Sequence, residues 1–149
     1  MNPTFADGAA AWIRRSAPGG QSNWAVYPGG YEAPNFLEFN CAGTVARCSV
    51  YQDMGPFDVS TIDSYTFGTL VRCPVNQPSC PVSVALWSLS EGAAAGRSYT
   101  IPADGKWYVI EMRGEEWASR WGFLRFEVYN NHPSTNVDID QTLVHWTQQ

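Results

Sequence analysis

The chain has 149 residues, a length that suits one domain with a full core. Charged residues are 15% of it, against a usual share of about 25%, and the formal net charge is −5. That acidic balance disfavours nucleic acid and acidic ligands, and no apolar run approaches the ~18 residues that a membrane span needs.

In chain order, the first motif is Asn2-Pro3-Thr4-Phe5-Ala6-Asp7-Gly8, with Trp12 after it. No charged and then apolar leader is visible, so Met1 is expected to open a fragment of a longer secreted protein. Residues 22–31 place Trp24, Tyr27 and Tyr31 around Gly29-Gly30. Residues 35–41 set Leu37, Phe39 and Cys41 against Glu38 and Asn40, and residues 48–54 set Val50 and Met54 against Tyr51 and Asp53. Residues 64–73 alternate through Tyr65, Phe67, Thr69 and Val71. Residues 81–89 set Val82, Val84 and Leu86 against Ser83, Ala85 and Trp87. The stretch 91–96, rich in alanine and glycine, is expected to form at most a helical turn. Residues 106–113 set Tyr108, Ile110 and Met112 against Trp107, Val109 and Glu111, and residues 123–129 set Leu124, Phe126 and Val128 against Arg125, Glu127 and Tyr129. Residues 137–144 set Val137, Ile139 and Leu143 against Asp138, Asp140 and Thr142. Period two in many short runs is the mark of half-buried antiparallel strands. Turn signals such as Asp104-Gly105 and Asn130-Asn131 separate them. The expectation is an all-β single domain over residues 1–149, a sandwich or barrel of about eight or nine strands.

Four cysteines, Cys41, Cys48, Cys73 and Cys80, form two C-x6-C pairs. Of the three pairings open to them, the local one is expected, Cys41–Cys48 and Cys73–Cys80. Each bridge would staple a short loop that carries turn residues, at about 2.5 kcal/mol by loop entropy. Zinc is disfavoured because structural sites use closer cysteine knuckles. Paired bridges imply an oxidising compartment, secreted or extracellular.

Three segments share a register with one family. Asn2, Phe5, Gly8 and Trp12 follow a pattern like N-x-x-F-E-x-G-x-x-x-W. Val50-Tyr51-Gln52-Asp53-Met54 and then Tyr65-Thr66-Phe67 follow V-Y-Q-D-V and Y-T-F. Ile139-Asp140-Gln141-Thr142-Leu143 follows I-D-D-V-x-L. In these motifs and their order the chain resembles the jelly-roll carbohydrate-binding modules of the galactose-binding-like superfamily, the family 4, 9 and 22 group. The resemblance implies a two-sheet antiparallel β-sandwich (jelly roll), sugar binding on a sheet face or loop rim, and a structural calcium ion. It also implies fusion to a catalytic or surface domain. Asp140 matches the family's last-strand calcium ligand, with Asp7 as a substitute donor from the opening turn. The chain departs from the pattern at Ala6, where the family has glutamate, at Gln141, where it has a second aspartate, and in its cysteine pairs. The plain alternative is that Asp138 and Asp140 face solvent on an edge strand.

A sugar offers apolar C–H faces and a rim of hydroxyls, so its site wants flat rings beside directional polar groups. With Trp, Tyr and Phe at 7 each, the chain has rings to spare. Two places combine them with polar groups. One is the outward side of the strands: Trp87, Trp107 with Glu111 and Arg113, and Tyr129 with Arg125 and Glu127. The other is the loop 113–122, with Trp117, Arg120 and Trp121 beside Glu115 and Glu116. Packing under covering loops is the competing explanation for these rings. Glycoside hydrolysis would need two carboxyls ~5 Å or 6.5–9.5 Å apart, and Glu111, Glu115, Glu116 and Glu127 are the candidates. His132 and His145 stand in no nucleophile-elbow context. The expected function is a non-catalytic module that binds a polysaccharide or oligosaccharide. An adhesion or protein-interaction module is the alternative, and a small glycan-active enzyme ranks below it.

Overall fold

The computed structural model describes residues 5–16, 22–31, 34–41, 47–57, 62–89, 92–114 and 122–148. Within them ten strands form: β1 (Ile13–Ser16), β2 (Ser22–Pro28), β3 (Asn35–Cys41), β4 (Cys48–Phe57), β5 (Ile62–Arg72), β6 (Cys80–Ser88), β7 (Ala93–Ile101), β8 (Trp107–Gly114), β9 (Gly122–Asn130) and β10 (Asn136–Gln148). They pair antiparallel into two five-stranded sheets, β1-β4-β9-β6-β7 and β2-β3-β10-β5-β8. This is the all-β antiparallel sandwich expected from the alternation.

The core is the set of side chains that alternation turns inward. Val50, Val82, Val84, Leu86, Phe126 and Val128 come from the first sheet, and Leu37, Phe39, Phe67, Val71, Ile110 and Ile139 from the second, all buried. Phe67 and Phe126 meet edge-on across the layers, with centroids 5.3 Å apart. The opening motif closes one end of this core. Phe5 packs on Trp12 at 5.1 Å, and Trp12 meets Phe126 edge-on at 6.4 Å. The motif's phenylalanine and tryptophan are therefore core residues, which explains a fixed spacing between them.

Both disulfides form as expected, Cys41–Cys48 and Cys73–Cys80. Each joins the end of a strand in one sheet to the start of a strand in the other, β3 to β4 and β5 to β6. The bridges thus staple layer to layer, and their sulfurs lie among the buried core residues.

One expectation changes, and one alternative is removed. The alanine–glycine stretch enters strand β7, which pairs with β6 from Ala93 to Ile101. Small side chains hide its alternation, while the ladder to β6 supplies the strand. At Gly96 an added Cβ would sit 3.1 Å from the Val84 carbonyl, so bulk is unwelcome there. The plain alternative for the two aspartates also falls, because β10 is the central strand of its sheet and not an edge. Asp138 and Asp140 are accordingly buried, at 1% and 0% exposure.

Burying a carboxylate requires partners. Asp138 accepts a hydrogen bond from Arg72 Nε at 2.7 Å. The Arg72 guanidinium in turn lies 4.5 Å from the ring centroids of both Phe36 and Trp107. Burial pushes the Asp138 pKa up to about 6, against the pull of Arg72. A carboxyl whose pKa is raised by folding binds its proton more tightly in the folded state. Stability from this group is therefore present near pH 4 and falls as pH rises toward 6. The loss is on the order of 2–3 kcal/mol, at about 1.4 kcal/mol per pH unit. Urea unfolding of the native chain and of Asp138→Asn from pH 4 to 7 should show this decline in the native chain relative to the variant. Parallel curves would remove the assignment.

Candidate functional site

On the outer face of the β1-β4-β9-β6-β7 sheet, register sets side chains in three ranks. The first is Asp53, Arg125, Trp87 and Ala94; the second Tyr51, Glu127, Ala85 and Gly96; the third Ser49, Tyr129, Ser83 and Ser98. Arg125 holds the first two ranks together. Its Nε and Nη2 donate to the two Asp53 oxygens at 2.7 and 2.9 Å. Its guanidinium carbon lies 3.7 Å from the Tyr51 ring centroid. The hydrogen bonds to Asp53 raise the pKa of the Arg125 guanidinium and keep it charged.

Glu127 lies in the middle, 1% exposed, accepting hydrogen bonds from Ser49 Oγ and, at 2.6 Å, from the Tyr129 hydroxyl. Burial and that carboxylate hold the Tyr129 phenol well above its ordinary pKa. Tyr129 therefore stays a proton donor across any working pH. The Trp87 indole also bears on the phenol, pulling its pKa down against those two causes, and Ala85 and Glu127 beside these rings in the ladder are buried. Arg47 stacks on the far side, 5.0 Å from the Tyr129 centroid. The result is a platform of half-buried rings and guanidinium planes, Tyr51, Arg125, Trp87 and Tyr129, fixed from beneath by charge-assisted hydrogen bonds. The carboxylates on this platform are both engaged, Asp53 by Arg125 and Glu127 by Ser49 and Tyr129.

The outward residues singled out in the sequence divide between two opposite faces. Trp87 and Tyr129 are on the platform. Trp107, Glu111 and Arg113 are on the outer face of the other sheet, so the five do not make one site. There Trp107 covers Arg72 and meets Phe36 edge-on at 5.9 Å, a packing role. Glu111 pairs with Arg113 at 3.1 Å near solvent. Trp117, Arg120 and Trp121 lie outside the described residues. The strand after their loop begins at Gly122, three positions before Arg125 of the platform. Tyr129, Arg125 and Glu127 share the platform's face, as their alternation along one strand predicts, whereas the Asp53–Arg125 pair leaves no sequence signal because the two lie on strands far apart in sequence.

Asp140 sits across the molecule. Its Oδ2 accepts the Tyr31 N–H at 2.7 Å and its Oδ1 the Gln141 N–H at 2.8 Å. Asp7 is exposed in the opening turn, whose Phe5 carbonyl accepts Asn35 Nδ2 at 3.1 Å. Asn35 begins β3, and Leu37 pairs with Ile139, so the opening turn and Asp140 approach one end of the same sheet. Among the described residues no three acidic, histidine or cysteine side chains group as metal ligands. The donors near this corner are carboxylate and carbonyl oxygens, the type that calcium takes.

No protein-family model and no curated protein sequence matches the chain. Solved structures do. A CBM4 structure matches at TM-score 0.73 and 13% identity, over 99% of this chain and 99% of that one. The CBM22-1 xylan-binding domain of Paenibacillus barcinonensis Xyn10C matches at 0.71 and 10%, over 98% and 92%. TmCBM61, solved with β-1,4-galactotriose, matches at 0.70 and 12%, over 99% and 97%. The chain thus has the fold of carbohydrate-binding modules, as its motifs suggested. The same fold spans only 21% of the bacteriophage CBA120 tailspike protein 4 active domain and 25% of the MgGH51 arabinofuranosidase.

Proposed function

We propose that this protein is a non-catalytic, secreted carbohydrate-binding module that holds a larger protein to a neutral polysaccharide. The platform of Tyr51, Arg125, Trp87 and Tyr129 is the observation that carries the proposal. The half-buried rings Tyr51, Trp87 and Tyr129 would receive the apolar faces of successive sugars, with the exposed Asp53 carboxylate, the Tyr129 oxygen and the Arg125 N–H groups not bound to Asp53 at hand for hydroxyls. The acidic chain favours an uncharged ligand. Fold relatives named for xylan and β-1,4-galactotriose support a β-linked backbone of that kind. The two disulfides support an oxidising setting. Trp117 and Trp121, which come just before β9 in sequence, are proposed as further ligand contacts.

Affinity electrophoresis on xylan, β-1,4-galactan, β-glucan and mannan tests this. The native chain should be retarded on at least one, and Trp87→Ala should weaken that retention tenfold or more with no loss of fold. Retention unchanged by Trp87→Ala and by Tyr51→Ala would remove the platform. No retention on any glycan would remove the reading.

Calcium belongs to the same proposal as a structural ion only. Asp140 and Asp7 would supply carboxylates and the opening turn carbonyls, pinning the first and last segments together. A ligand bound only by the folded chain raises its melting temperature. Melting in millimolar calcium should therefore exceed melting in chelator. Identical values would leave Asp140 as an anchor for backbone amides alone.

A further inference from the structure

Beyond Arg125 and Trp87, the outer face of the first sheet carries two large side chains that the platform does not use. Phe123 stands two positions before Arg125 on β9, and Leu89 two positions after Trp87, just past the end of β6. The pairing of Trp87 with Arg125 continues to them, since the Leu89 N–H donates to the Phe123 carbonyl at 2.9 Å. Alternation turns both outward, roughly 7 Å along the strands from the rank of Arg125 and Trp87. Both are open to solvent, Phe123 at 52% and Leu89 at 40% exposure.

The chemistry of this ledge differs from that of the platform. On the other flank of Phe123 the ladder to β4 shifts register between Met54 and Phe57, which sets exposed Gly55 and Pro56 alongside. None of the side chains of Phe123, Leu89, Gly55 and Pro56 can donate or accept a hydrogen bond. A bare pyranose laid here would lose water from its hydroxyls and gain no described side-chain partner in return. The nearest polar group is one rank back. Arg125 spends Nε and Nη2 on Asp53, and its Nη1 stands outside that pair. Adjoining apolar side chains left exposed beside a binding face mark an extension of that face. The occupant of the ledge is then a part of the same ligand, with an apolar end and one acceptor close behind it.

We infer that the ledge receives an O-acetyl substituent carried by the glycan on the platform. The acetyl methyl packs on Phe123 and Leu89, and the ester carbonyl turns back to accept from Arg125. The ester is uncharged, which suits an acidic chain. The inference rests on the reading of the protein as a sugar binder and names its ligand more closely, as an acetylated neutral polysaccharide.

Affinity electrophoresis on xylan, β-1,4-galactan, β-glucan and mannan, each plain and lightly O-acetylated with acetic anhydride, tests it. On a glycan that retards it, the native chain should hold the acetylated form about fourfold tighter than the plain one, the worth of one buried methyl group. Phe123→Thr, which keeps a strand-forming residue, and Leu89→Ser, outside the strand, should each lose that preference and hold the plain form as the native chain does. Equal retention of both forms by the native chain overturns the ledge and leaves the platform standing. A preference that survives both variants also overturns it. Variants that weaken both forms alike make the ledge an ordinary sugar contact and overturn the acetyl assignment. Self-association that Phe123→Thr abolishes, with no acetyl preference, makes the ledge a contact between two copies and overturns the inference. Retention on none of the eight preparations removes the sugar reading itself, and the inference with it.

Discussion

A strand in a two-layer sandwich can turn only every second side chain into the core. In this chain that constraint governs everything else. The inward set is aliphatic and phenylalanine-rich and meets at contacts such as Phe67 on Phe126. The outward set is then left to face water on both sides, and it is there that this protein differs from a plain sandwich. It has few charges to place on those faces, so rings occupy them.

Both faces solve the same problem with the same device. An arginine lies flat on aromatic rings and pairs with an aspartate from a neighbouring strand: Arg125 with Tyr51 and Asp53, Arg72 with Phe36, Trp107 and Asp138. A guanidinium is suited to this because it stacks and forks at once. The two pairs differ in exposure. Asp53 is open to solvent, while Asp138 is sealed in the centre of its sheet and its pKa rises to about 6. The first pair therefore leaves rings presentable to a ligand, and the second makes a structural layer. Glu127 extends the same logic, since a buried carboxylate that fixes Tyr129 makes the ring rigid before any ligand arrives, which reduces the ordering cost of binding.

The strands were legible in the sequence wherever large inward residues alternated with polar ones, as at Leu37–Phe39 or Val82–Val84–Leu86. They were illegible at Ala93–Ile101, where small side chains carry no periodic signal and the strand exists through its ladder to β6. The cysteine pairs were readable from spacing and turn residues, although their role between layers needed the topology. Of the site, the company of Tyr129, Arg125 and Glu127 could be read because all three lie on one strand. The separation of Trp87 from Trp107 could not, because one residue on β6 and one on β8 belong to opposite faces only once the strand order is known. Asp140 shows the same limit. A motif marked it as important, but its hold on Tyr31, 109 residues away, is visible only in the fold.

The central claim is that rings on the outer face of the first sheet bind a neutral glycan. Amide and indole chemical shifts of the full chain, followed during addition of xylohexaose or galactotriose, test it most directly. The account predicts that the Trp87 indole and the backbone amides of Tyr51, Arg125 and Tyr129 move together with one saturating curve. Saturable shifts that leave all four still would contradict it.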